Sequence, residues 1–394
     1  MSPLRECLVM AKPAGPLCDL RCTYCYYIGK TELLGPPMDE ALLERYIVQR
    51  FAASPGPVTH FEWHGGEPTL LGLPYFETIV RLERKHLPAA RRFSNGLQTN
   101  GMGIDAPWAS FLARESFSVG LSLDGPAELH DRYRRRDDGG PTHGRVVESL
   151  ALLRSHRVFV NVLCVISRAN VDEPDRVYDY FRSLGVTYLQ FLPLVAASGQ
   201  GVSTETPAPE AIGRFLCRIF DRWIAEDVGR VVIQTFDEAL RPIYGADHAL
   251  CVHRETCGDV GVLERDGSFY ACDHFVDDAH RIGSILDRSL AELTADPVLR
   301  AFGEAKRSTL PNLCRECEFL EFCNGGCPKD RIARTPDGEG GLNYLCPAYR
   351  MFFAHVQPEL SRLAAHMKAG YRLRDFRAQP RNAPASTKPE QTES

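Results

Sequence analysis

The sequence predicts an α/β protein: a partial open (β/α)6 barrel, then a C-terminal cysteine-rich metal-holding domain and a disordered tail. Three observations predict this. Six short apolar, β-branched runs alternate with amphipathic helical patterns, and strands alternating with helices imply a parallel sheet. Six units fall short of the eight of a closed barrel, so the sheet stays open, with its chemistry on the loops after the strands. Eight cysteines between Cys251 and Cys346 mark a second, loop-rich region of the kind that folds around metal.

Taken in order, the strands are expected at Leu8 to Ala11, Val58 to Trp63, Phe93 to Thr99, Phe117 to Leu123, Phe159 to Ile166 and Thr187 to Leu192. Helices are expected at Asp39 to Phe51, Tyr75 to Lys85, Pro107 to Arg114, Arg145 to His156 and Asp172 to Leu184, where apolar residues recur at three- and four-residue spacing. After Leu192 the Gly, Ser, Thr and Pro of AASGQGVSTETPAPE end this rhythm. The expected units are a barrel over 1–200, a helical linker region over 201–245 with a helix from Pro209 to Glu226, and a cysteine-rich domain over 246–374. The stretch 375–394 is polar and Pro-rich, which predicts disorder.

Composition excludes several functions. With 46 basic and 51 acidic side chains the net charge is -5, so the basic excess of a sequence-independent nucleic-acid binder is missing. No apolar run approaches the ~18 residues of a membrane span. Arg5 and Glu6 fall where a signal peptide would need its apolar stretch, which makes a cytoplasmic location the expectation. A reducing compartment disfavours a disulfide framework for the 14 cysteines. Eleven fall into tight groups; Cys7, Cys164 and Cys217 do not, and the last two read as buried small hydrophobes.

Cys18, Cys22 and Cys25 form C-x3-C-x2-C directly after the first strand. Three thiolates leave a four-iron cluster one ligand short, with one iron open to a substrate or cofactor. A structural zinc would need a fourth ligand, and His60 and His64 lie across a strand. Further strand ends carry Gln98, Thr99 and Asn100 in LQTNG, and Ser122 and Asp124 in LSLDG, which suit a ligand site on one face or plain turns. The cysteine motif, with the aromatic Tyr24 before its last Cys, resembles that of the radical S-adenosylmethionine enzymes. The GGEP motif of that family is present as Gly65, Gly66, Glu67 and Pro68. Two glycines allow close backbone approach to a ligand, and Glu67 can accept bonds from an ammonium. The resemblance implies that the open iron is chelated by the amino and carboxylate groups of S-adenosylmethionine. It also places Tyr24, Gly65, Gly66, Glu67, Asn100, Ser122, Asp124, Arg134 and Val195 against that cofactor.

Downstream, Cys314, Cys317, Cys323 and Cys327 give C-x2-C-x5-C-x3-C, with Cys346 beyond and Cys251, Cys257 and Cys272 upstream. Eight thiolates are the count for two fully ligated four-iron clusters, although the C-x2-C element alone would also fit a zinc knuckle. The pattern resembles the SPASM extension of radical S-adenosylmethionine enzymes, most closely the anaerobic sulfatase-maturating enzymes. That resemblance implies one cluster on Cys251, Cys257, Cys272 and Cys327 and another on Cys314, Cys317, Cys323 and Cys346. It makes Asp273, beside Cys272, the general base, and places Tyr27, His64 and Gln98 on the substrate side. His64 is a departure, standing where the maturase pattern carries Gln.

The expected function is therefore oxidation of a Cys or Ser in a sulfatase to Cα-formylglycine, using S-adenosylmethionine and three four-iron clusters. The partners implied are a peptide or unfolded sulfatase and an external reductant such as flavodoxin or ferredoxin, with no nucleic acid and no membrane. A radical maturase of a ribosomally made peptide is the alternative within the superfamily. A non-catalytic multi-cluster electron carrier also explains the cysteines, but needs neither GGEP nor an open cluster.

Overall fold

The computed structural model describes residues 7–199 and 201–378; the N-terminal residues bearing on a leader and the tail beyond 378 lie outside them. The first half runs β1 (Leu8–Lys12), α1 (Glu40–Ala53), β2 (Val58–Trp63), α2 (Leu73–His86), β3 (Arg92–Thr99), α3 (Ala106–Arg114), β4 (Ser118–Ser122), α4 (Ala127–His130), α5 (His143–Ser155), β5 (Phe159–Ile166), α6 (Pro174–Ser183) and β6 (Tyr188–Pro193). Alternation fixes which face of each strand is buried. On β2, Phe61 and Trp63 meet Tyr46 of α1 edge-on, and Trp63 also meets Phe76 of α2. His60 and Glu62 take the opposite, concave face, where His60 contacts Ser94 of β3. The helices thus cover the convex face and leave a polar concave face. Side chains Asp39 and Asp105 cap α1 and α3, accepting from Leu42 and Trp108 backbone N–H groups.

The chain continues through a small hairpin, β7 (Ala197–Ser198) with β8 (Gly201–Val202), then α7 (Pro209–Glu226), β9 (Val232–Ile233) and α8 (Gln234–Tyr244). β10 (Val260–Glu264), β11 (Ser268–Tyr270) and β12 (Arg281–Ser284) follow, then α9 (Leu290–Thr294), α10 (Pro297–Ser308), α11 (Asn312–Arg315), α12 (Leu320–Cys323) and α13 (Cys346–Lys368). The main sheet has the order β12-β11-β10-β1-β2-β3-β4-β5-β6-β9, open at both ends.

The open barrel is as expected, with strands added at its edges, and two further expectations are corrected. The parallel part of the sheet has eight strands, because β9 adds to β6 and β10 adds to β1, with Lys12 opposite Glu264. β9 has two residues, too few for a periodic signal, and β10 pairs with a strand about 250 residues away. The cysteine-rich region therefore shares the barrel's sheet. Region 201–245 is not a linker: Phe215, Phe220 and Trp223 of α7 are buried, and Phe236 of α8 stacks on Phe352 of α13. Finally, 375–378 is ordered, with Phe376 buried against His366 and Arg362. One apolar ring anchors the start of a stretch whose polar composition predicts disorder.

Candidate active site

The loop after β1 carries Cys18, Cys22 and Cys25 at the mouth of the concave face. Its shape comes from GGEP. Gly66 N–H donates to Gly15 O (2.8 Å) and Glu67 N–H to Leu17 O (2.7 Å), and a Cβ on Gly66 would stand 2.0 Å from Leu17 O. Gly65 has φ +125°, a conformation for glycine. The close approach that these glycines permit within the protein is to the cysteine loop's own backbone. The expectation for Glu67 is corrected. Its carboxylate is fully buried and accepts from Thr69 N–H, Thr69 Oγ1, Thr99 Oγ1 and Asn100 N–H, at 2.7–3.0 Å. With four internal donors it organises the turn rather than awaiting an ammonium.

Asn100 continues the link, donating to Asp19 Oδ1 (2.7 Å) and lying 3.8 Å from Cys18 Sγ. Burial pushes the Cys18 thiol up to about 12. Opposite, Tyr24 donates to Asp124 and accepts from Arg134 Nη1 (3.1 Å). Asp124 Oδ1 also accepts from Val165 N–H (2.9 Å). Burial pushes the Asp124 carboxyl up, opposed by the Arg134 guanidinium. Arg134 is 7% exposed, and its Nε has no partner among the described residues. A buried donor of this kind needs an acceptor, and the carboxylate of an amino-acid ligand at an open iron would supply one. Gln98 donates to Ser122 Oγ (3.1 Å) and lies across Gly120, where a Cβ would be 2.2 Å from its Oε1. Val195, half-buried, follows β6.

Asp273 stands where the cysteine loop, β1 and the downstream cysteines meet. Its Oδ1 pairs with the Lys12 ammonium at 2.5 Å, and its Oδ2 accepts from the Tyr26 hydroxyl. Burial alone would push this carboxyl up; the Lys12, His64 and His274 charges outweigh it and hold it below the usual carboxylate range. His64 lies close enough for Asp273 and Lys12 to act on it, and its Nδ1 has no partner among the described residues. Tyr27 is buried and donates to both oxygens of Glu264 (2.9 and 2.7 Å). Its hydroxyl is already engaged.

The downstream thiols separate into two sets. Burial, and then the Cys327 and Cys251 thiolates, push Cys272 up to about 12, and Cys251 likewise acts on Cys257 and Cys327. Cys314, Cys317, Cys323 and Cys346 instead line one cavity together with Tyr349 and Phe353. Four thiols around one space fit a fully ligated cluster. Cations brace both sets: the buried Lys306 ammonium donates to the carbonyls of Cys251 (2.8 Å), Val252 (3.0 Å) and Arg254, and Arg331 donates to those of Gly325, Asn324 and Lys306.

Lys12, Tyr26, Glu264 and Lys306 escaped the sequence reading. Tyr26 directly follows Cys25, and Lys12 ends an apolar strand, the same signal that marked Asn100 and Asp124. Glu264 likewise ends the apolar run of β10, which was not assigned as a strand, and nothing local marked Lys306.

Residues 13–181 match the radical SAM superfamily and residues 257–318 an iron–sulfur cluster-binding domain. The chain is 38% identical over 370 residues to a serine-type anaerobic sulfatase-maturating enzyme from Bacteroides thetaiotaomicron, covering 89% of each. It is 34% identical over 371 residues to a cysteine-type enzyme from Clostridium perfringens, covering 91% of this chain and 99% of the other. A solved structure of anSMEcpe with AdoMet and a peptide bound superposes with a TM-score of 0.84 at 33% identity, over 92% of this chain and 100% of that one. Streptococcus suis SuiB bound to its precursor peptide shares the fold, with a TM-score of 0.61 at 15% identity, over 86% of this chain and 76% of that one.

Proposed function

The chain belongs to the anaerobic sulfatase-maturating enzymes of the radical SAM superfamily, and from that premise we propose that it oxidises a Cys or Ser of a sulfatase to Cα-formylglycine. The observation that carries the reading is that Tyr26, the residue after Cys25 of the three-thiol loop, donates to Asp273, the residue after Cys272 of the downstream set, whose other oxygen is paired with Lys12. The three-thiol set of Cys18, Cys22 and Cys25 would hold the radical-generating four-iron cluster, and the two four-thiol sets the auxiliary ones. When bound, the first cluster and S-adenosylmethionine supply hydrogen-atom abstraction from the target carbon. Arg134, supported by Tyr24 and Asp124, would receive the cofactor's carboxylate, with Asn100, Ser122 and Val195 around it. GGEP contributes by shaping the loop, through backbone bonds at Gly66 and Glu67.

The substrate radical must then lose a proton and one electron, the electron passing to the auxiliary clusters that the eight downstream thiols would hold, and a thioaldehyde from a Cys substrate takes up water and releases hydrogen sulfide. Asp273 is the base, held by Lys12 and Tyr26. His64 and Gln98 line the approach, while Tyr27 supports it through Glu264. An oxidised substrate and a base one residue from Cys272 place proton removal beside the auxiliary thiols. The electrons for the first cluster come from an external flavodoxin or ferredoxin. Among the described residues no helix is long and apolar enough to cross a membrane; a cytoplasmic location, where thiols stay reduced, is part of this reading.

The test is incubation of anaerobically reconstituted protein, carrying roughly twelve irons as three four-iron clusters, with short peptides containing Cys-x-Pro-x-Arg or Ser-x-Pro-x-Arg. Loss of two hydrogens from the Ser peptide, or conversion of the Cys peptide to the same aldehyde, is expected by mass spectrometry. Cleavage of S-adenosylmethionine with neither product would overturn the substrate reading. Failure to cleave it under strong reduction would return the chain to electron carriage.

A further inference from the structure

Lys12 ends β1 with its side chain fully buried. Burying an ammonium is unfavourable unless it is paired, and a methionine would fill similar space without that penalty. Its surroundings show what the charge holds. The ammonium lies 2.5 Å from Asp273 Oδ1, 3.8 Å from Glu264 Oε1 and 3.6 Å from the centroid of the Tyr27 ring. Glu264 also accepts from the Tyr27 hydroxyl, whose single proton is shared between its two oxygens. Asp273 Oδ1 has no hydrogen-bond donor among the described residues apart from this ion-pair contact. The pairing with Asp273 is therefore the closer and the less replaceable of the two.

Connectivity gives the contact its reach. β1 leads directly into the loop of Cys18, Cys22 and Cys25, and β10, in register with it, leads through β11 to Cys272 and Asp273. Tyr26, on the first of these loops, donates to the other oxygen of Asp273. Two contacts from the barrel side thus fix a carboxylate that belongs to the downstream domain.

We propose that Lys12 is a positioning residue for Asp273: its ammonium holds Oδ1, leaving the carboxylate oriented along Tyr26 toward the cysteine loop, so that product formation stays coupled to cofactor cleavage. This rests on the reading of Asp273 as the base. Lys12 acts through Asp273 and is not itself a catalytic residue.

The experiment is a double-mutant cycle of Lys12→Met with Asp273→Asn, on protein checked for iron content and melting temperature. Formylglycine and 5′-deoxyadenosine are quantified together, and binding of a labelled peptide is followed by anisotropy. Lys12→Met should bind the peptide and cleave S-adenosylmethionine as the wild type does. Formylglycine formed per 5′-deoxyadenosine should fall at least about tenfold, the scale of a misplaced reacting group. In the Asp273→Asn background Lys12→Met should cost nothing further, since the contact it served is gone. Lys12→Gln, which keeps a donor without burying charge, should recover part of the coupling, and carries the test if the Met variant does not fold. Losses that multiply in the double mutant, a parallel loss of both products, or full coupling in Lys12→Met would each overturn the proposal while leaving the base reading intact. Unchanged formylglycine in Asp273→Asn would overturn both.

Discussion

Around Cys18, Cys22 and Cys25 the nearby acids Asp19, Glu67 and Asp124 are opposed by Arg134, whereas around the eight downstream thiols the acids Asp259, Asp273, Asp330 and Glu339 are met by Lys306, Lys329, Arg254, Arg331 and Arg350. The difference follows from what each region holds. A cluster closed by four thiolates is a buried anion, and buried anions require cations and donors. A cluster left open to a ligand carrying an ammonium and a carboxylate is completed by that ligand's charge, so the protein supplies acids and an arginine whose Nε is left over. The support differs as well. The first loop hangs on GGEP backbone bonds over an apolar barrel, whereas the downstream chain between β12 and α13 is held by short helices, carbonyl-bound cations and the thiols themselves.

The largest expected effect separates the regions outright. Cys22→Ala should abolish S-adenosylmethionine cleavage and lower iron by about four per chain, while the melting temperature stays near that of the wild type. Cys257→Ala should retain cleavage and lose formylglycine, with a lower melting temperature. Iron lost from all three sets in Cys22→Ala would break the comparison, because the first loop would then be supporting the second region.

At the junction, Asp273→Asn should lower formylglycine by about 100- to 10,000-fold, the usual span of general-base assistance. Cleavage of S-adenosylmethionine and iron content should persist, measured in the same samples. Iron loss instead would place Asp273 with the structural groups of the downstream domain.

Next in size is Lys306→Met. It removes donors from three half-buried carbonyls, each worth at most about 1–3 kcal/mol when left unsatisfied, and a cation that acts on Cys251, Cys257 and Cys327. The iron-loaded variant should melt well below the wild type and release iron faster to a chelator. Equal melting would mean that the thiolate charge is not what Lys306 offsets.

These residues also mark the limits of what was legible in the sequence. β2 to β6 were readable because alternation and helical spacing are local, and the cysteines because thiol spacing is. β9 and β10 were not, since one has two residues and the other pairs with a strand at the far end of the chain. Asp273 was reached only through family likeness; Lys12, which holds it, lies 261 positions away in sequence, and Lys306 finds its carbonyls 52–55 positions upstream. Glu67 was identified and misread. A conspicuous motif of glycines and a carboxylate suggests a ligand, and only the geometry reveals that the partners are Leu17, Thr69, Thr99 and Asn100.

The smallest effect sharpens the contrast from the barrel side, whose stability should respond to protons rather than iron. Glu83 on α2 is fully buried; Asn95 donates to its Oε2 (2.9 Å), and Oε1 has no partner among the described residues. Burial pushes this carboxyl up from 4.5 to about 8. Between those values the folded chain keeps a proton that the unfolded chain has released, so stability present below about 4.5 is lost as pH rises toward 8. The slope for one such group is about 1.4 kcal/mol per pH unit. Glu83→Gln keeps the shape and removes the proton, so it should melt like the wild type near pH 5 and above it at pH 8.5. The comparison is made by thermal melts of both proteins across that range, with iron loaded and removed. The gain at high pH should survive iron removal in the transition that reports the barrel helices. A gain that vanishes with the iron would show that the two halves of the sheet unfold as one unit, which the shared pairing of β1 with β10 makes the specific alternative.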